Sequence, residues 1–417
     1  MKKTALLGFV AFLGLYLFST GISYAVFTYV VAPPSLEFIS PQGNQEEEAI
    51  NQEEKEDNTA DYKQLIDTSG PKTAICPMNG QLFTEKEKEA WEQRRPLLIM
   101  IENHEEARPQ SGLSSADIVY ETVAEGGITR FMGVFYCDAQ SHEAIVGPVR
   151  SARSYFINWA SEYGANPLYA HVGGANCNHG CPGGTSEADA LGQIEDYGWG
   201  GSMGNDLNQF AIGYPTYWRD YERMGHTVAT EHTMYSTTER LWALAKKREW
   251  TNVDSEGNAW DEDFVPWQFY EEGKEPKIGD VTTIGYDFWE NSPAGDYSVS
   301  WKFDPEKKVY LRSNAGKEHL DLDTNKQLSA KNIIVMYSVE SNADDGYPSN
   351  AHLLYDTIGT GTGVLFQNGN ATEITWTKDS RTDRTIFEDA DTGKEISFIP
   401  GKIWISNLAK GNKTLEY

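Results

Sequence analysis

The longest apolar run of the chain lies at its amino terminus. Residues Thr4–Leu36 contain no charged side chain, and Lys2 and Lys3 precede them. The run exceeds the roughly 7–15 apolar residues of a cleaved signal peptide and suffices for the about 20 that span a bilayer. We therefore predict an uncleaved transmembrane signal anchor at residues 1–33, with cleavage after Ser23–Ala25 as the alternative. The two lysines predict a cytoplasmic amino terminus, with the bulk of this single-pass cell-membrane protein extracytoplasmic.

A polar and acidic segment follows the apolar run. Pro33 and Pro34 end the predicted helix, and residues 34–70 contain ten acidic and two basic side chains. So few large apolar residues occur here that burial cannot offset the entropy lost on ordering the chain. We predict that residues 34–70 form a disordered linker. A solvated spacer is the favoured role for this segment, and a binding tail is the alternative.

Residues 71–255 alternate strand-like and helical runs, which predicts an α+β or α/β amino-terminal domain. Short apolar runs predict strands at Pro96–Ile101, Asp117–Val123, Thr129–Tyr136 and Leu168–Val172. Apolar spacing predicts a helix at Ser151–Tyr163, and the capping-box pattern Ser236–Glu239 predicts another that continues through Lys247. The glycine-rich stretch Gly173–Gly213 predicts surface loops.

Residues 275–417 show short strands and turns with no helical period, which predicts an all-β antiparallel carboxy-terminal domain, a sandwich or a small barrel. The predicted strands are Val281–Trp289, Tyr297–Phe303, Lys308–Arg312, Asn332–Val339, His352–Ile358, Gly363–Phe366, Ile374–Lys378, Glu395–Ile399 and Lys402–Ser406. Asn368-Gly369 and Thr392-Gly393 are typical of hairpin turns, and Gly359–Gly363 of a β-turn.

The charge balance excludes some function classes. With 35 basic and 62 acidic residues the net charge is 35 − 62 = −27, so no basic surface is available for nucleic acid or for anionic lipid headgroups. The aromatic content of 12% suits carbohydrate-like or planar ligands without being specific to them. A P-loop and an H-E-x-x-H motif are both absent from the sequence, and we predict no cofactor.

The densest group of candidate functional residues lies between residues 103 and 153. Asp117, Glu121 and Glu125 are separated by even steps, so on one regular strand their side chains share a face. Arg130, Arg150 and Arg153 are the nearest available partners. One interpretation is a general acid/base site that uses Glu121 and Glu125, and the other is a structural ion-pair network.

The segment Gly147–Arg153 has the pattern of a strand end that passes into a helix. Ser151 is the predicted helix N-cap, and Arg150 with Arg153 would reinforce an anion pocket there. Three polar residues of the preceding loop are predicted at the rim of the same ligand-binding pocket with Arg130, namely Asn103, Arg108 and Ser111.

Several segments resemble a known family. PLLIMIENHEEARPQSGLSSADIVYETVAEGGITRFMGVFY, GPVRSARSYF and LYAHVGGA are similar to the amino-terminal domain of the YerB-like family of bacterial envelope lipoproteins. AKNIIVMY, GTGTGVLFQNGNATEITWTKDS and FIPGKIWI are similar to that family's carboxy-terminal domain. The resemblance covers about residues 76–412 and implies an extracytoplasmic two-domain protein with no known reaction. The chain departs from the family in its predicted transmembrane anchor, which would replace a lipid-modified cysteine, and in an expanded Gly173–Gly213 region.

The four cysteines favour disulfides in an extracytoplasmic protein. Cys177 and Cys181 admit a short-loop bridge, which leaves Cys76 with Cys137. The alternatives are free thiols or a zinc site formed by His171, Cys177, His179 and Cys181. His171 is also a candidate catalytic acid/base, although a structural hydrogen-bonding role is more common for such a histidine.

The sequence thus supports two classes of function. The first is a binding or scaffolding protein that recognises envelope glycan or a partner such as a cell-wall synthesis protein through a Glu/Arg pocket. The second is a hydrolase or lyase that acts on an envelope polymer through Glu121 and Glu125. An open cleft with carboxylates about 5–10 Å apart would favour the enzyme, and buried Glu–Arg pairs the binding protein. We expect the binding protein, since no complete catalytic signature is present.

Overall fold

The structure is a computed structural model that describes residues 65–164, 166–176, 186–200, 204–254, 256–289, 292, 294–345 and 351–417. These residues belong to one compact unit, Asn58–Tyr417. No helix among them is both long and apolar enough to cross a membrane. The predicted anchor and nearly all of the predicted linker lie outside the described residues.

The described part of the chain contains many strands and a few short helices. The strands before residue 250 are β1 (Lys72–Ile75), β2 (Leu82–Thr84), β3 (Leu97–Glu102), β4 (Ile118–Glu125), β5 (Ile128–Phe135), β6 (Ile145–Val146), β7 (Leu168–His171), β8 (Asp206–Asn208), β9 (Trp218–Arg219) and β10 (Met234–Thr237). The helices are α1 (Glu85–Trp91), α2 (Ser154–Ala160), α3 (Ala190–Asp196), α4 (Gln209–Ile212) and α5 (Thr238–Lys247), with 3-10 turns at Glu105–Ala107, Leu113–Ser115, Ser186–Ala188 and Thr230–His232.

The rest of the described chain is built from strands. These are β11 (Gln268–Phe269), β12 (Thr283–Tyr286), β13 (Val299–Asp304), β14 (Val309–Asn314), β15 (Lys317–Glu318), β16 (Leu320–Asp321), β17 (Lys326–Gln327), β18 (Ser329–Ala330), β19 (Asn332–Ser338), β20 (Glu340–Asn342), β21 (Leu353–Tyr355), β22 (Gly359–Gln367), β23 (Asn370–Lys378), β24 (Ile386–Asp389), β25 (Ser397–Phe398) and β26 (Ile403–Ala409). The predicted mixed amino-terminal part and strand-rich carboxy-terminal part are therefore confirmed. Gly359–Gly363, predicted as a β-turn, instead begins the long strand β22.

One ten-stranded sheet joins the two sequence halves of the described chain. Its strand order is β24-β23-β22-β19-β26-β4-β5-β3-β7-β8. At the junction β26 pairs in parallel with β4, and β26 also pairs in parallel with β19. Strands β19 and β26 both belong to the carboxy-terminal part, so the prediction of a purely antiparallel domain there is wrong. The chain between them is long enough for the crossover connection that parallel neighbours require.

The sheet is covered on both faces, which explains why its central strands are continuous apolar runs. On one face the Tyr120 ring of β4 stacks on Trp159 of α2, with ring centroids 5.1 Å apart. On the other face Trp404 of β26 packs against Trp301 of β13 at 5.3 Å. Strand β13 belongs to a smaller sheet in which β12, β13, β14 and β15 are neighbours and β18 pairs with β14.

Two helix starts differ from the sequence prediction. Helix α2 begins at Ser154, its N-cap residue is Arg153, and no side chain caps it, so Ser151 is not the N-cap. Helix α5 begins after Thr237, whose hydroxyl accepts a hydrogen bond from the Arg240 amide, so the capping residue is one position later than predicted. In both cases strand-like pairing holds the preceding residues in an extended conformation.

A disulfide joins Cys76 to Cys137, as the sequence predicts, and connects residues 61 positions apart. Both cysteines are completely buried. The bridge ties the segment after β1 to the end of β5. Cys177, His179 and Cys181 lie outside the described residues.

Candidate functional site

The polar residues of the amino-terminal half meet at one edge of the large sheet. Strand β3 is parallel to β7, β7 is parallel to β8, and β3 and β4 are both antiparallel to β5. The four strands β3, β4, β7 and β8 therefore run in one direction, and they end at Glu102, Glu125, His171 and Asn208. Ligands of open α/β sheets bind beyond the carboxyl ends of the strands, so this edge is the candidate functional site.

The segment from residue 147 to residue 153 crosses this edge in an extended conformation. Val149 forms a bridge with Ile101, next to the end of β3, and Ala152 forms one with Gly174, beyond the end of β7. These two bridges hold Arg150 between them and place Arg153 at the start of α2. The segment therefore positions two guanidinium groups over the strand ends, by strand pairing and not by the helix start that the sequence suggests.

Glu125 is the centre of the first group of charges. Arg130 Nη2 donates to one of its oxygens at 3.1 Å, and Arg153 Nη2 donates to the other at 2.5 Å. His352 Nε2 lies 3.3 Å from the second oxygen. The arginine side chains are 1% and 7% exposed, whereas Glu125 is 23% exposed. Two buried cations thus share one carboxylate that solvent still reaches.

Glu102 is the centre of the second group. Arg150 Nε donates to its Oε1 at 2.9 Å, and His232 Nδ1 lies 2.8 Å from its Oε2. The His232 ring stacks on His104 with centroids 4.6 Å apart. Glu102 is buried, but the Arg150 side chain is 24% exposed. Among the described residues Arg150 donates through Nε alone, so its two Nη groups remain open to a ligand.

Both groups form one electrostatic unit, which we call the arginine cluster, consisting of Arg130, Arg150 and Arg153 with Glu102 and Glu125. Burial raises the pKa of Glu125, but the charges of Arg130 and Arg153 and the contact with His352 outweigh it and leave the pKa well below its usual range. Burial, followed by the repulsion of Arg153, lowers the pKa of Arg130 to about 10, so it stays protonated at neutral pH. Within the cluster three guanidinium groups face two carboxylates, and Glu106 lies beyond them, 3.6 Å from His232 Nε2. An additional anion is therefore best placed at the open Nη groups of Arg150.

The histidine of the second group should make stability depend on pH. Burial lowers the pKa of His232, but the hydrogen bond and charge of Glu102 outweigh it, and the net pKa is raised. A histidine whose pKa is higher in the folded than in the unfolded protein stabilises the fold. This stabilisation is complete at a pH below the pKa of the unfolded protein, and it is lost as the pH rises through the pKa of the folded protein. We expect the gap in free energy of unfolding between the parent and His232→Gln to narrow from pH 6 to pH 8.5. Urea unfolding at both pH values measures it, with the exposed His226→Gln as control, and a gap that widens contradicts the assignment.

The structure separates the two glutamates that the sequence places on one face. The pairing of β4 with β5 shifts register between Val123 and Glu125, a β-bulge. The extra residue turns Glu125 to the face of Arg130 and Arg153, whereas Glu121 stays on the opposite face. There Arg312 Nη2 donates to both oxygens of Glu121 at 3.0 and 2.8 Å, and both side chains are completely buried. The predicted pairing of Glu121 with Arg130 or Arg153 is therefore wrong.

Asp117 lies at the start of β4, away from both glutamates. Its carboxylate accepts hydrogen bonds from Asn79 Nδ2 at 2.7 Å and from the amides of Tyr136 and Cys137 at 2.7 and 2.9 Å. Cys76, Asp117 and Cys137 are also a group of potential metal ligands among the described residues. Because both sulfurs belong to the disulfide, no thiolate is available there, and Asp117 organises the backbone beside the bridge.

The predicted rim residues lie apart from the arginine cluster. Asn103 Nδ2 donates to Thr129 Oγ1 at 2.7 Å, and Thr129 donates in turn to Glu121 at 3.0 Å. Arg108 donates to Asn103 Oδ1 at 3.1 Å, so both residues belong to the buried Glu121 network. Ser111 accepts a hydrogen bond from Arg223 Nε at 2.9 Å. Asn103 follows Glu102 directly, and neighbouring strand residues point to opposite faces, which explains the division.

Two further predicted residues lie at the carboxyl edge. His171 is completely buried; its Nδ1 lies 2.7 Å from the Gly173 carbonyl oxygen and its Nε2 lies 2.7 Å from Asp206 Oδ1. Both ring nitrogens therefore have partners, as in the structural role. Ser151 contributes its carbonyl oxygen, which accepts a hydrogen bond from Arg130 Nη1 at 3.2 Å.

Sequence reasoning missed several partners of this site. Glu102 directly follows the predicted apolar strand Pro96–Ile101, and a charged residue at that position is a local indication that was available. His232, Asp206 and Arg312 carry no such indication, because each reaches its partner across 35 to 191 residues of chain. Only the assembled sheets bring these residues together.

Comparison with known proteins identifies the family. The family model described as "Protein of unknown function (DUF3048) N-terminal domain" matches residues 83–251, and the model of the corresponding C-terminal domain matches residues 290–405. YerB of Bacillus subtilis strain 168, which is named as a candidate lipoprotein, is 29% identical over 333 residues, 79% of this chain and 85% of that protein. The crystal structure of Bacillus subtilis YerB matches with a TM-score of 0.62 and 26% identity, over 81% of this chain and 97% of that one. The chain therefore belongs to the two-domain YerB-like family, whose domains are described as being of unknown function.

Proposed function

We propose that this protein is an extracytoplasmic envelope protein that binds an anionic group of a cell-envelope glycan or envelope partner at the arginine cluster. The observation that supports this most directly is Arg150, which is 24% exposed and donates through Nε alone among the described residues. A carboxylate or phosphate can accept a bidentate pair of bonds from such a guanidinium group. Arg130 and Arg153, buried behind it, add positive potential without competing for the ligand.

The proposed location rests on three observations. The relative YerB is named as a candidate lipoprotein, which is a membrane-attached class of protein. The disulfide between Cys76 and Cys137 suits an oxidising compartment outside the cytoplasm. The uncharged stretch Thr4–Leu36 would attach this chain to the membrane with a transmembrane helix in place of a lipid.

The geometry favours a binding protein over the enzyme alternative. Glu121 is completely buried, and Arg312, Thr129 and Trp404 donate to its two oxygens. Glu125 lies on the other face of the sheet and is held by Arg130 and Arg153. The two carboxylates therefore do not face one cleft, as a glycosidic acid/base pair must.

The test is binding of the full chain, purified in detergent, to sedimented cell wall. We expect Arg150→Gln to weaken binding about tenfold, because it removes a charge-assisted contact of about 1.5 kcal/mol. Lys247→Gln is the matched control, since it changes the net charge equally at an exposed position of α5. Because Arg150 is partly exposed, circular dichroism should show an unchanged fold.

Two results would overturn this proposal. One is equal binding by the parent and Arg150→Gln in a preparation where both are folded. The other is equal weakening by Arg150→Gln and Lys247→Gln, which would indicate a response to net charge and not a site.

A further inference from the structure

A cleft lies next to the segment that carries Arg150. It has a volume of about 550 Å³ and is lined by residues of α4, β9, β10 and α5 and of the loop after α4, namely Gln209, Tyr214, Tyr217, Trp218, Arg219, Met234 and Arg240. We call it the aromatic cleft. Its volume lies within the range of about 300–1,000 Å³ that is usual for small-ligand sites.

Two aromatic side chains at or next to this cleft are largely open to solvent, whereas Tyr217 in its lining is buried. Tyr214 is 83% exposed, and its neighbour Phe210 is 75% exposed. Trp218 is half-buried, and the Arg240 guanidinium lies 4.5 Å from the centre of its ring. Two rings this exposed, Tyr214 in the lining and Phe210 next to Gln209 in the sequence, mark an interaction surface, because leaving them in water forfeits the free energy of burial.

The cleft also carries polar groups suited to hydroxyl and amide ligands. Gln209 Oε1 is buried and has no hydrogen-bond partner among the described residues. Arg240 Nη1 donates to the Pro215 carbonyl oxygen at 2.8 Å, which holds the guanidinium beside the rings. A buried acceptor without a partner is costly, so a turn of the Gln209 side chain toward a ligand hydroxyl or amide group in the cleft would be favoured.

The aromatic cleft and its neighbour Phe210 border the segment that carries Arg150. The Phe210 ring lies on Gly173, where an added Cβ would be 3.0 Å from the ring, and the Gly173 carbonyl oxygen accepts a hydrogen bond from Ala152. On the other side the carbonyl oxygen of Met234, which lines the cleft, accepts a hydrogen bond from Val149 at 2.7 Å. Met234 therefore contacts the segment just before Arg150, and Phe210 lies on the glycine that pairs with the segment just after it.

We propose that the aromatic cleft binds the sugar rings of a saccharide chain whose carboxylates reach Arg150, an inference that rests on the proposed function and specifies its ligand. The C–H face of a pyranose ring packs on an aromatic ring, and its hydroxyl and acetamido groups bond to amide and guanidinium groups. An apolar peptide helix fits less well, because Met234 is the single aliphatic side chain in the lining, which also contains two arginines and a glutamine.

The test uses three probes with the full chain in detergent, by isothermal titration. The first is soluble peptide-free peptidoglycan strands, which carry carboxylates; the second is the same strands with carboxylates reduced to alcohols; the third is poly-glutamate, a polyanion without sugar rings. We expect Tyr214→Ala to weaken both saccharides about tenfold, the worth of one ring contact of about 1.4 kcal/mol. Arg150→Gln should weaken only the carboxylated strands. Tyr417→Ala, which removes a 57% exposed ring elsewhere, should change neither.

The outcomes separate this inference from the function on which it rests. Poly-glutamate binding as tightly as the strands, with no effect of Tyr214→Ala, would overturn the saccharide assignment and leave anion binding at Arg150 intact. The saccharide assignment would also be overturned if the parent bound neither the carboxylated nor the reduced strands but still bound cell wall in a manner that depends on Arg150. Equal loss of both saccharides in Tyr214→Ala with retention in Tyr214→Phe would support the ring contact.

Discussion

We expect Glu162→Gln to be the most destabilising conservative change in the described chain. Glu162 follows α2 and is completely buried with two cations, Lys378 Nζ at 3.2 Å and Arg384 Nη1 at 2.9 Å. The Thr385 amide and hydroxyl donate to it at 2.9 and 2.7 Å, and Tyr120 donates at 2.5 Å. Glutamine would leave both cations without a counter-charge. Breaking one buried pair costs about 3–5 kcal/mol, and here one carboxylate serves two pairs.

Urea unfolding followed by circular dichroism measures this loss. Glu373→Gln is the matched control, because Glu373 is an exposed carboxylate on β23 of the same sheet. Burial raises the pKa of Glu162, but Lys378 and Arg384 outweigh it and the net pKa is lowered. The stabilisation by Glu162 is therefore complete at a pH above the ordinary pKa of glutamate and is lost as the pH falls through the lowered pKa. The difference in free energy of unfolding between the parent and Glu162→Gln should accordingly shrink in acid. If Glu162→Gln does not fold, adding Lys378→Met should restore part of the folded yield. A variant as stable as Glu373→Gln would refute the buried-charge account.

The second large effect is expected for Glu121→Gln. Arg312 is completely buried, with its guanidinium 4.8 Å from the centre of the Trp404 ring and 5.6 Å from that of Trp301. Trp404 Nε1 also donates to Glu121 at 3.1 Å. Loss of the carboxylate leaves Arg312 as an unpaired charge among aromatic rings. We expect a loss of about 3–5 kcal/mol in the free energy of unfolding.

The comparison with Glu125→Gln makes this prediction specific. Glu125 is 23% exposed, so water can solvate Arg130 and Arg153 in part, and the loss should be smaller than for Glu121→Gln. Adding Arg312→Met to Glu121→Gln should recover part of the stability, because it removes the stranded charge. If Glu121→Gln unfolds like the parent while cell-wall binding or turnover disappears, Glu121 has a chemical role, and the enzyme interpretation replaces the scaffold.

Local pattern was sufficient for much of this fold. The apolar runs of β3, β4, β5 and β7 are visible in the sequence because strands buried on both faces consist of consecutive apolar residues. The Asn368-Gly369 hairpin was predictable because both residues adopt positive φ, at 49° and 75°, which asparagine and glycine tolerate best. The family resemblance was likewise visible in short segments and is confirmed by the two family models.

The candidate site was predictable only in part. Arg130, Arg150, Arg153 and Glu125 stand within 28 residues of one another, and the structure brings them together as the sequence suggests. Asn103, Arg108 and Ser111 are equally close in sequence but lie in other hydrogen-bond networks. Sequence proximity limits the distance between residues, whereas the face of the strand decides which of them meet.

The strand-rich composition, the positions of the main strands and the family could be read from the sequence, and the Cys76–Cys137 disulfide was the favoured one of several alternatives. Tertiary structure alone decided which carboxylate faces which arginine. The bulge between Val123 and Glu125 reverses the side-chain alternation of β4, and the parallel pairing of β26 with β4 brings the Glu121 network together from both halves of the chain. Side chains alternate between the two faces of a strand with a period of two residues, so one extra residue moves every later side chain to the opposite face. The local sequence pattern of β4 does not indicate this bulge.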